Sequence, residues 1–278
     1  MKLYDFDGMF DDKLSEYIEK NTGKYTENEW EDVIPRLYKE FGDTYIKSVG
    51  DTPNGFFAKF SDSELVEALK KYIAKGVPVS EFLCNAIEAR NTVELLLPLL
   101  DGTEDEREYA MNLIGSDSRA IEKYMQILVD TNSSEDMKNR CVDFIKEKAD
   151  LVVSRAVENY KQGIEREYMM EIMSRTVLRD DKIFDILVSE FRSDPDNIPM
   201  HASYLAAYGD ERALEYLLNK IDEDGITYVE YQELKFAIET LGGEYTKERD
   251  FSGDPYYQAI KAHSSDMSDI FAAFNKKS

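Results

Sequence analysis

The residues of this sequence that could do chemistry are its dense carboxylates, two Arg-Tyr pairs, and a few His and Cys side chains. Asp222-Glu223-Asp224-Gly225 has the carboxylate density of a calcium loop. Such a loop needs an acid at its first position and a bidentate acid at its last. With Gly225 in the glycine position those ends are Lys220 and Tyr231, so the site cannot close. The Asp5/Asp7 stretch fails the same test, with Leu3 and Leu14 at the ends. His201 and His263 are far apart, neither belongs to a helical metal pair, and Cys84 and Cys141 are equally remote. No zinc set forms from them. There is no Gly-rich phosphate loop, no Gly-x-Ser-x-Gly turn and no Cys/His nucleophile pair, so the expectation is no metal, no cofactor and no enzymatic activity. Arg107/Tyr109 and Arg166/Tyr168 lie in two segments that echo one another, Glu106–Ile114 and Glu165–Met173. Arg and Tyr combine contact area with a polar tip and are favoured interface anchors. These four are the candidate partner-binding residues. Burial in a core competes as the role of the tyrosines, and pairing with neighbouring glutamates as that of the arginines.

Leu3-Tyr4-Asp5-Phe6-Asp7-Gly8-Met9 resembles the nucleophile motif of haloacid dehalogenase-type phosphatases. The resemblance implies Asp5 as the attacking carboxylate, Asp7 as acid/base, and magnesium. Met9 stands where that family has Thr or Val. That motif also ends a strand of a parallel sheet, and no alternating strand pattern is found in this chain. The segment is therefore expected to be a solvated acidic N-terminus.

Charge sets the class of partner. Lys plus Arg total 34 against 57 Asp plus Glu, a net charge of −23, and the acids run along the whole length. Nucleic-acid binders and proteins that dock on anionic lipid need clustered positive charge, so neither is expected. A hydrophobic content of 42% is ordinary for a folded chain. The two cysteines sit in apolar helical patterns and are expected to be buried free thiols in a reducing compartment, the cytoplasm. The N-terminus meets acid early and has no apolar run of signal-peptide type, and no stretch is long enough to span a bilayer.

These residues must be positioned by helices. Gly (14) and Pro (7) are too scarce for the turns of an all-β protein. Thr26-x-x-Glu29, Ser61-x-x-Glu64 and Thr103-x-x-Glu106 are capping boxes. Gly76, Gly102, Gly163, Gly209 and Gly242 follow helical runs, where a left-handed residue closes a helix. First helices are expected to begin at Thr92, Arg119, Leu151, Lys182 and Arg212, a period of roughly 30 residues, each followed by a second helix. The two echoing segments lie two such periods apart. A helix pair this short cannot bury its apolar face alone, so neighbours must stack.

The run Arg212-Ala213-Leu214-Glu215-Tyr216-Leu217-Leu218, the break at Asp222–Gly225, then Tyr231 to Leu241 and Gly242-Gly243, resembles a HEAT-type repeat of the short kind found in phycobilin lyases and many bacterial proteins. Gly209-Asp210 and Asp194-Pro195 match its junctions. The resemblance covers about Val79 to Glu244 and implies an all-α fold, an α-solenoid of about five HEAT-like helix pairs whose second helices line the concave face. Residues 1–78 lack the period and are expected as an irregular, aromatic-rich helical cap, with helices over Asp12–Asn21, Thr26–Phe41, Thr44–Val49, Pro53–Phe60 and Ser61–Lys75. Residues 79–244 are the repeats. Residues 245–278 are expected as a C-terminal helical cap, with Tyr256, Ile260, Ile270, Phe271 and Phe274 on its apolar side. The expected function is a non-enzymatic protein–protein interaction scaffold or adaptor with an acidic curved surface for a basic protein or peptide. The rival readings are an enzyme on the same architecture, a cofactor lyase or a DNA-alkylation-repeat type, and an acidic mimic of nucleic acid.

Overall fold

Capping signals and apolar periodicity reappear as helix ends in the computed structural model, which describes residues 2–262. All regular structure among the described residues is helical, and the only strand-like pairing is an antiparallel bridge between Ile46 and Asp51. The chain divides into two compact units, Met1–Lys123 and Tyr124–Ser278.

The first unit holds α1 (Phe6–Lys20), α2 (Glu27–Gly42), α3 (Pro53–Ala58), α4 (Asp62–Lys75), α5 (Glu81–Glu88), α6 (Val93–Leu96) and α7 (Glu104–Ile114). Thr26, Ser61 and Thr103 each complete the expected capping box. Helix α1 starts six residues before the expected Asp12, because Asp5 acts as N-cap and accepts from the Gly8 N–H at 2.8 Å. The helix expected over Thr44–Val49 does not form. Gly50, at φ 81°, reverses the chain there and the Ile46–Asp51 bridge closes the turn. Pro98 shapes a 3-10 turn over Leu97–Asp101 that continues α6. The core is aromatic: Phe6 meets Phe56 at 5.7 Å and Phe57 at 5.6 Å, and Tyr38 stacks on Phe82 at 4.6 Å. The Tyr72 hydroxyl donates to the Tyr4 carbonyl at 2.9 Å and accepts from the Tyr4 N–H at 3.1 Å, tying the N-terminal strand of chain to α4.

Helix α8 (Ile121–Leu128) crosses the division between units. The second unit continues with α9 (Glu135–Lys146), α10 (Val153–Lys161), α11 (Arg166–Ser174), α12 (Asp181–Ser193), α13 (Ile198–Tyr208), α14 (Leu214–Ile221) and α15 (Tyr228–Thr240). Helices α6, α8, α10, α12 and α14 begin within two residues of the five expected first-helix positions. Within the second unit α10 packs on α11, α12 on α13 and α14 on α15, while α9, α11, α13 and α15 pack against one another in succession. Their buried residues recur at threes and fours, as Tyr231, Leu234 and Ile238 do on α15.

Gly76, Gly163, Gly209 and Gly242 take positive φ as expected, but Gly102 has φ −83°. Gly102 serves close approach instead: a Cβ there would collide with the Glu106 carboxylate that closes the capping box on Thr103. Past α15, residues 243–254 are irregular and pinned by side chains. Tyr231 donates to the Lys247 carbonyl at 3.1 Å, and Tyr245 to Asp222 at 2.8 Å. Helix resumes over 255–262 with Tyr256 and Ile260 exposed, and the remaining cap residues Ile270, Phe271 and Phe274 lie outside the described residues, as does His263.

Candidate functional site

Helices α9 and α11 bring Tyr168 into a polar network in the second unit, while Arg166 turns instead to Tyr160 on α10 and Glu190 on α12. Glu135, Lys138 and Asn139 share one face of α9 because they are three and four residues apart. Across from them the Tyr168 hydroxyl lies 3.0 Å from a Glu135 carboxylate oxygen and 2.9 Å from the Asn139 side-chain oxygen. The Lys138 side chain is 8% exposed, and its ammonium donates to Glu165 at 2.8 Å and Glu135 at 3.1 Å. Those two bonds outweigh the cost of desolvation and hold its pKa above the ordinary lysine value. Burial, and then the bond to Glu135, push Tyr168 up to about 12. At neutral pH the phenol and the ammonium therefore both keep their protons. Both act as hydrogen-bond donors within the cluster.

Glu165 is the only non-glycine residue with positive φ, 45°, among the described residues. It caps α11 in the left-handed region while its carboxylate reaches back to Lys138. Arg166, next in the chain, stacks over the Tyr160 ring at 4.5 Å, donates to the Tyr160 hydroxyl at 2.8 Å and pairs with Glu190. Further along α11, Glu171 accepts from Lys146 at 2.7 Å, and Glu167 is exposed.

The sequence equivalents of Arg166 and Tyr168 meet different surroundings in the first unit. Tyr109 borders a cleft of about 500 Å³ whose other walls include Ile73, Val77, Pro78 and Asp105. Burial raises its phenol above the ordinary value, with the nearby Cys84 and Glu108 adding to the effect. The Arg107 Nε is buried without a hydrogen-bond partner. Neither Tyr109 nor Tyr168 is a core residue; both are half-buried, and the Tyr168 hydroxyl reaches Glu135 and Asn139.

The remaining motifs have local roles. Asp5 and Asp7 sit at the start of α1, not at a strand end. Asp5 caps the helix, and Asp7 accepts from the Tyr38 hydroxyl at 2.7 Å. Only Asp5 of the pair is exposed, so the segment is anchored by Phe6 and Asp7 rather than solvated throughout. Asp222 accepts from Tyr245 and Lys247, which occupy its carboxylate. His201 is buried and lies 3.1 Å from Asp194 of the Asp-Pro junction. Among the described residues no group of three His, Cys, Asp or Glu side chains could hold a metal. Both cysteines are free thiols; Cys141 is buried, whereas Cys84 is half-buried because α5 presents it at the helix edge.

Three features escaped the sequence reading. Lys138 and Glu165 look like ordinary solvated charges, and nothing local marks their pairing. Phe236 looks like a member of an apolar stripe but is 63% exposed. Phasing was the available signal there: Tyr231, Leu234, Ile238 and Leu241 recur at threes and fours, and Phe236 falls between them. Compared with protein-family models, with curated proteins and with solved structures, the chain matches none.

Proposed function

We propose that this protein is a non-enzymatic interaction scaffold that presents an acidic helical face to a basic protein or peptide. In this reading the helix pairs from α6/α7 to α14/α15 are HEAT-like repeats of a solenoid, and their second helices form the working surface. The observation that carries it is the successive packing of α9, α11, α13 and α15, which puts the exposed Asp136, Asp143, Glu167 and Glu239 on one series of neighbouring helices. A net charge of −23 would accelerate encounter with a cationic surface and repel an anionic one. Tyr168 offers an aromatic contact beside these acids, whereas Arg166 is directed to Tyr160 and Glu190. Two free cysteines fit a reducing compartment such as the cytoplasm, and among the described residues no helix is long and apolar enough to cross a membrane.

The test is titration of the full chain with a lysine-rich peptide at increasing salt. Binding should weaken as the Debye length shortens to about 8 Å at physiological ionic strength. Asp136→Asn, Glu167→Gln and Glu239→Gln together should weaken it more than Asp12→Asn, Glu16→Gln and Glu19→Gln, which remove the same charge from α1. Equal loss from both triple variants would overturn the assignment to the second helices. Phosphatase turnover abolished by Asp5→Asn would overturn the scaffold reading itself.

A further inference from the structure

Several arginines of this acid-rich chain are engaged by carboxylates: Arg90 by Asp62, Arg119 by Asp117 and Glu94, Arg166 by Glu190, Arg212 by Asp210 and Asp181. Arg192, in the last turn of α12, is not. It is exposed and pairs with no carboxylate among the described residues, although the chain carries 57 acids. Its place in the fold is the reason. Helices α12 and α14 meet near their starts, where Arg212 lies over the Phe184 ring at 4.2 Å and the Phe184 and Tyr216 rings stand edge to face at 6.4 Å. Toward their ends they leave a cleft of about 350 Å³. Arg192 and Pro195 line it on one side, Tyr216, Asn219 and Lys220 on the other, and the buried Phe191 and Ile198 form its floor.

The polar groups of this cleft are donors without acceptors. Tyr216 and Asn219 share one face of α14, and neither the phenol hydroxyl nor the side-chain amide makes a hydrogen bond among the described residues. Lys220 is occupied, donating to Glu223 at 2.7 Å. The charged lining of Arg192, Lys220 and Glu223 therefore carries one net positive charge in a chain whose total is −23. A guanidinium offers two parallel N–H groups to a carboxylate, and a phenol and an amide add donors for the remaining lone pairs. One unpaired cation matches one negative charge. A second cleft, of about 380 Å³, shares Arg192 and Tyr216 and is lined by Asp185 as well, which would repel a second carboxylate or a phosphate dianion. A cavity of this volume suits a small molecule, and its floor suits an apolar substituent. We propose that the cleft between α12 and α14 binds a small monocarboxylate with an apolar or aromatic substituent, its carboxylate held by Arg192 and Tyr216 and its substituent over Phe191 and Ile198. This goes beyond the scaffold reading and does not rest on it, because the donors stand on first helices and not on the series α9, α11, α13 and α15.

Calorimetric titration of the full chain at physiological salt with phenylpropionate, phenylpropanol and phenyl phosphate separates the parts of this claim. Phenylpropionate should bind with a millimolar or tighter dissociation constant, and the alcohol, which lacks the charge, much more weakly. Arg192→Gln should weaken phenylpropionate by roughly tenfold or more. Arg192→Lys keeps the charge but not the paired N–H groups, and should recover only part of that loss. Because Arg192 is exposed and unpaired, Arg192→Gln should melt at the temperature of the parent, which circular dichroism checks. Tyr216→Phe keeps the ring and removes only the hydroxyl, so its several-fold weakening reads the carboxylate contact without disturbing the packing. Absence of saturable phenylpropionate binding, equally tight binding of the alcohol, or no effect of Arg192→Gln overturns the proposal. Tighter binding of phenyl phosphate than of phenylpropionate overturns the assignment to a monocarboxylate. None of these outcomes bears on the scaffold reading, which is tested with a basic peptide.

Discussion

Glu165 combines two opposed contributions in one residue. Its left-handed backbone costs a non-glycine residue roughly 1 kcal/mol, while its carboxylate satisfies the nearly buried Lys138 ammonium. Glu165→Gly removes the strain and the contact together, whereas Glu165→Ala removes only the contact. Urea denaturation should therefore place the glycine variant about 1 kcal/mol above the alanine one, with both below the parent; the reverse order would mean that the backbone is not strained. The thiols give a second residue-scale expectation. Burial first, and then the carboxylates of Glu88 and Glu81, push Cys84 up to about 11. Its thiolate at pH 8 is then on the order of a thousandth of the total. Cys141 is fully buried. A polar disulfide reagent should modify both far more slowly in the native chain than in urea, and rapid labelling of Cys84 at pH 8 would contradict the assignment.

At the scale of the element, helix starts differ in how well their first N–H groups are satisfied. Thr103 caps α7 through a complete box, so Thr103→Ala should cost about 1 kcal/mol. Ser80 stands at the N-cap of α5 but makes no capping bond, and its hydroxyl is buried without a partner. Ser80→Ala deletes a desolvated polar atom that returns nothing, and should leave stability unchanged or raise it by up to about 1 kcal/mol. Gly102→Ala should destabilise α7 like Thr103→Ala, since its Cβ displaces Glu106 from the box. Thermal melts of the three variants decide the ranking. These helix ends were legible before any coordinates, because a capping box joins residues three apart. Gly102 does follow the 3-10 turn over Leu97–Asp101, but it takes φ −83° rather than a left-handed conformation, with the Thr103 cap of α7 directly after it.

At the scale of the whole molecule, stability depends on pH through carboxylates that are bonded in the folded state. Backbone bonds from Thr26 and Ser61 hold Glu29 and Glu64 below the ordinary value of 4.5. Lys59 and Lys247 hold Asp51 and Asp222 below 3.8. A group depressed on folding contributes fully above its unfolded value and loses that contribution as pH falls through its folded one. Asp7 acts in the opposite sense: burial raises its carboxyl, so it opposes folding as pH rises past 3.8. One opposed group against several predicts a melting temperature that falls as pH drops below about 4.5. A melting temperature that rises on acidification through that range would show that relief of self-repulsion among the 57 acids dominates. At neutral pH, added salt should raise the melting temperature by screening that repulsion, while it weakens binding of a cationic peptide.

The sequence by itself determined the helical class, the starts of α6, α8, α10, α12 and α14 to within two residues, three of the capping boxes though not that of Thr227 and Glu230, and the sign of the charge field. All of these depend on residues a few positions apart, or on a simple sum of charges. Only the tertiary structure decided what the helices do with their outward faces. Tyr168 meets Glu135, which is 33 positions away, and Lys138 meets Glu165, which is 27 away. Arg107 and Arg166 occupy matching places in echoing segments, yet one buries an unbonded Nε and the other stacks on Tyr160. Phe236 is apolar by composition and exposed by geometry. Such outcomes depend on the distance and rotation between helices that are remote in the chain, and a periodic pattern carries the phase of one helix but not its neighbour's.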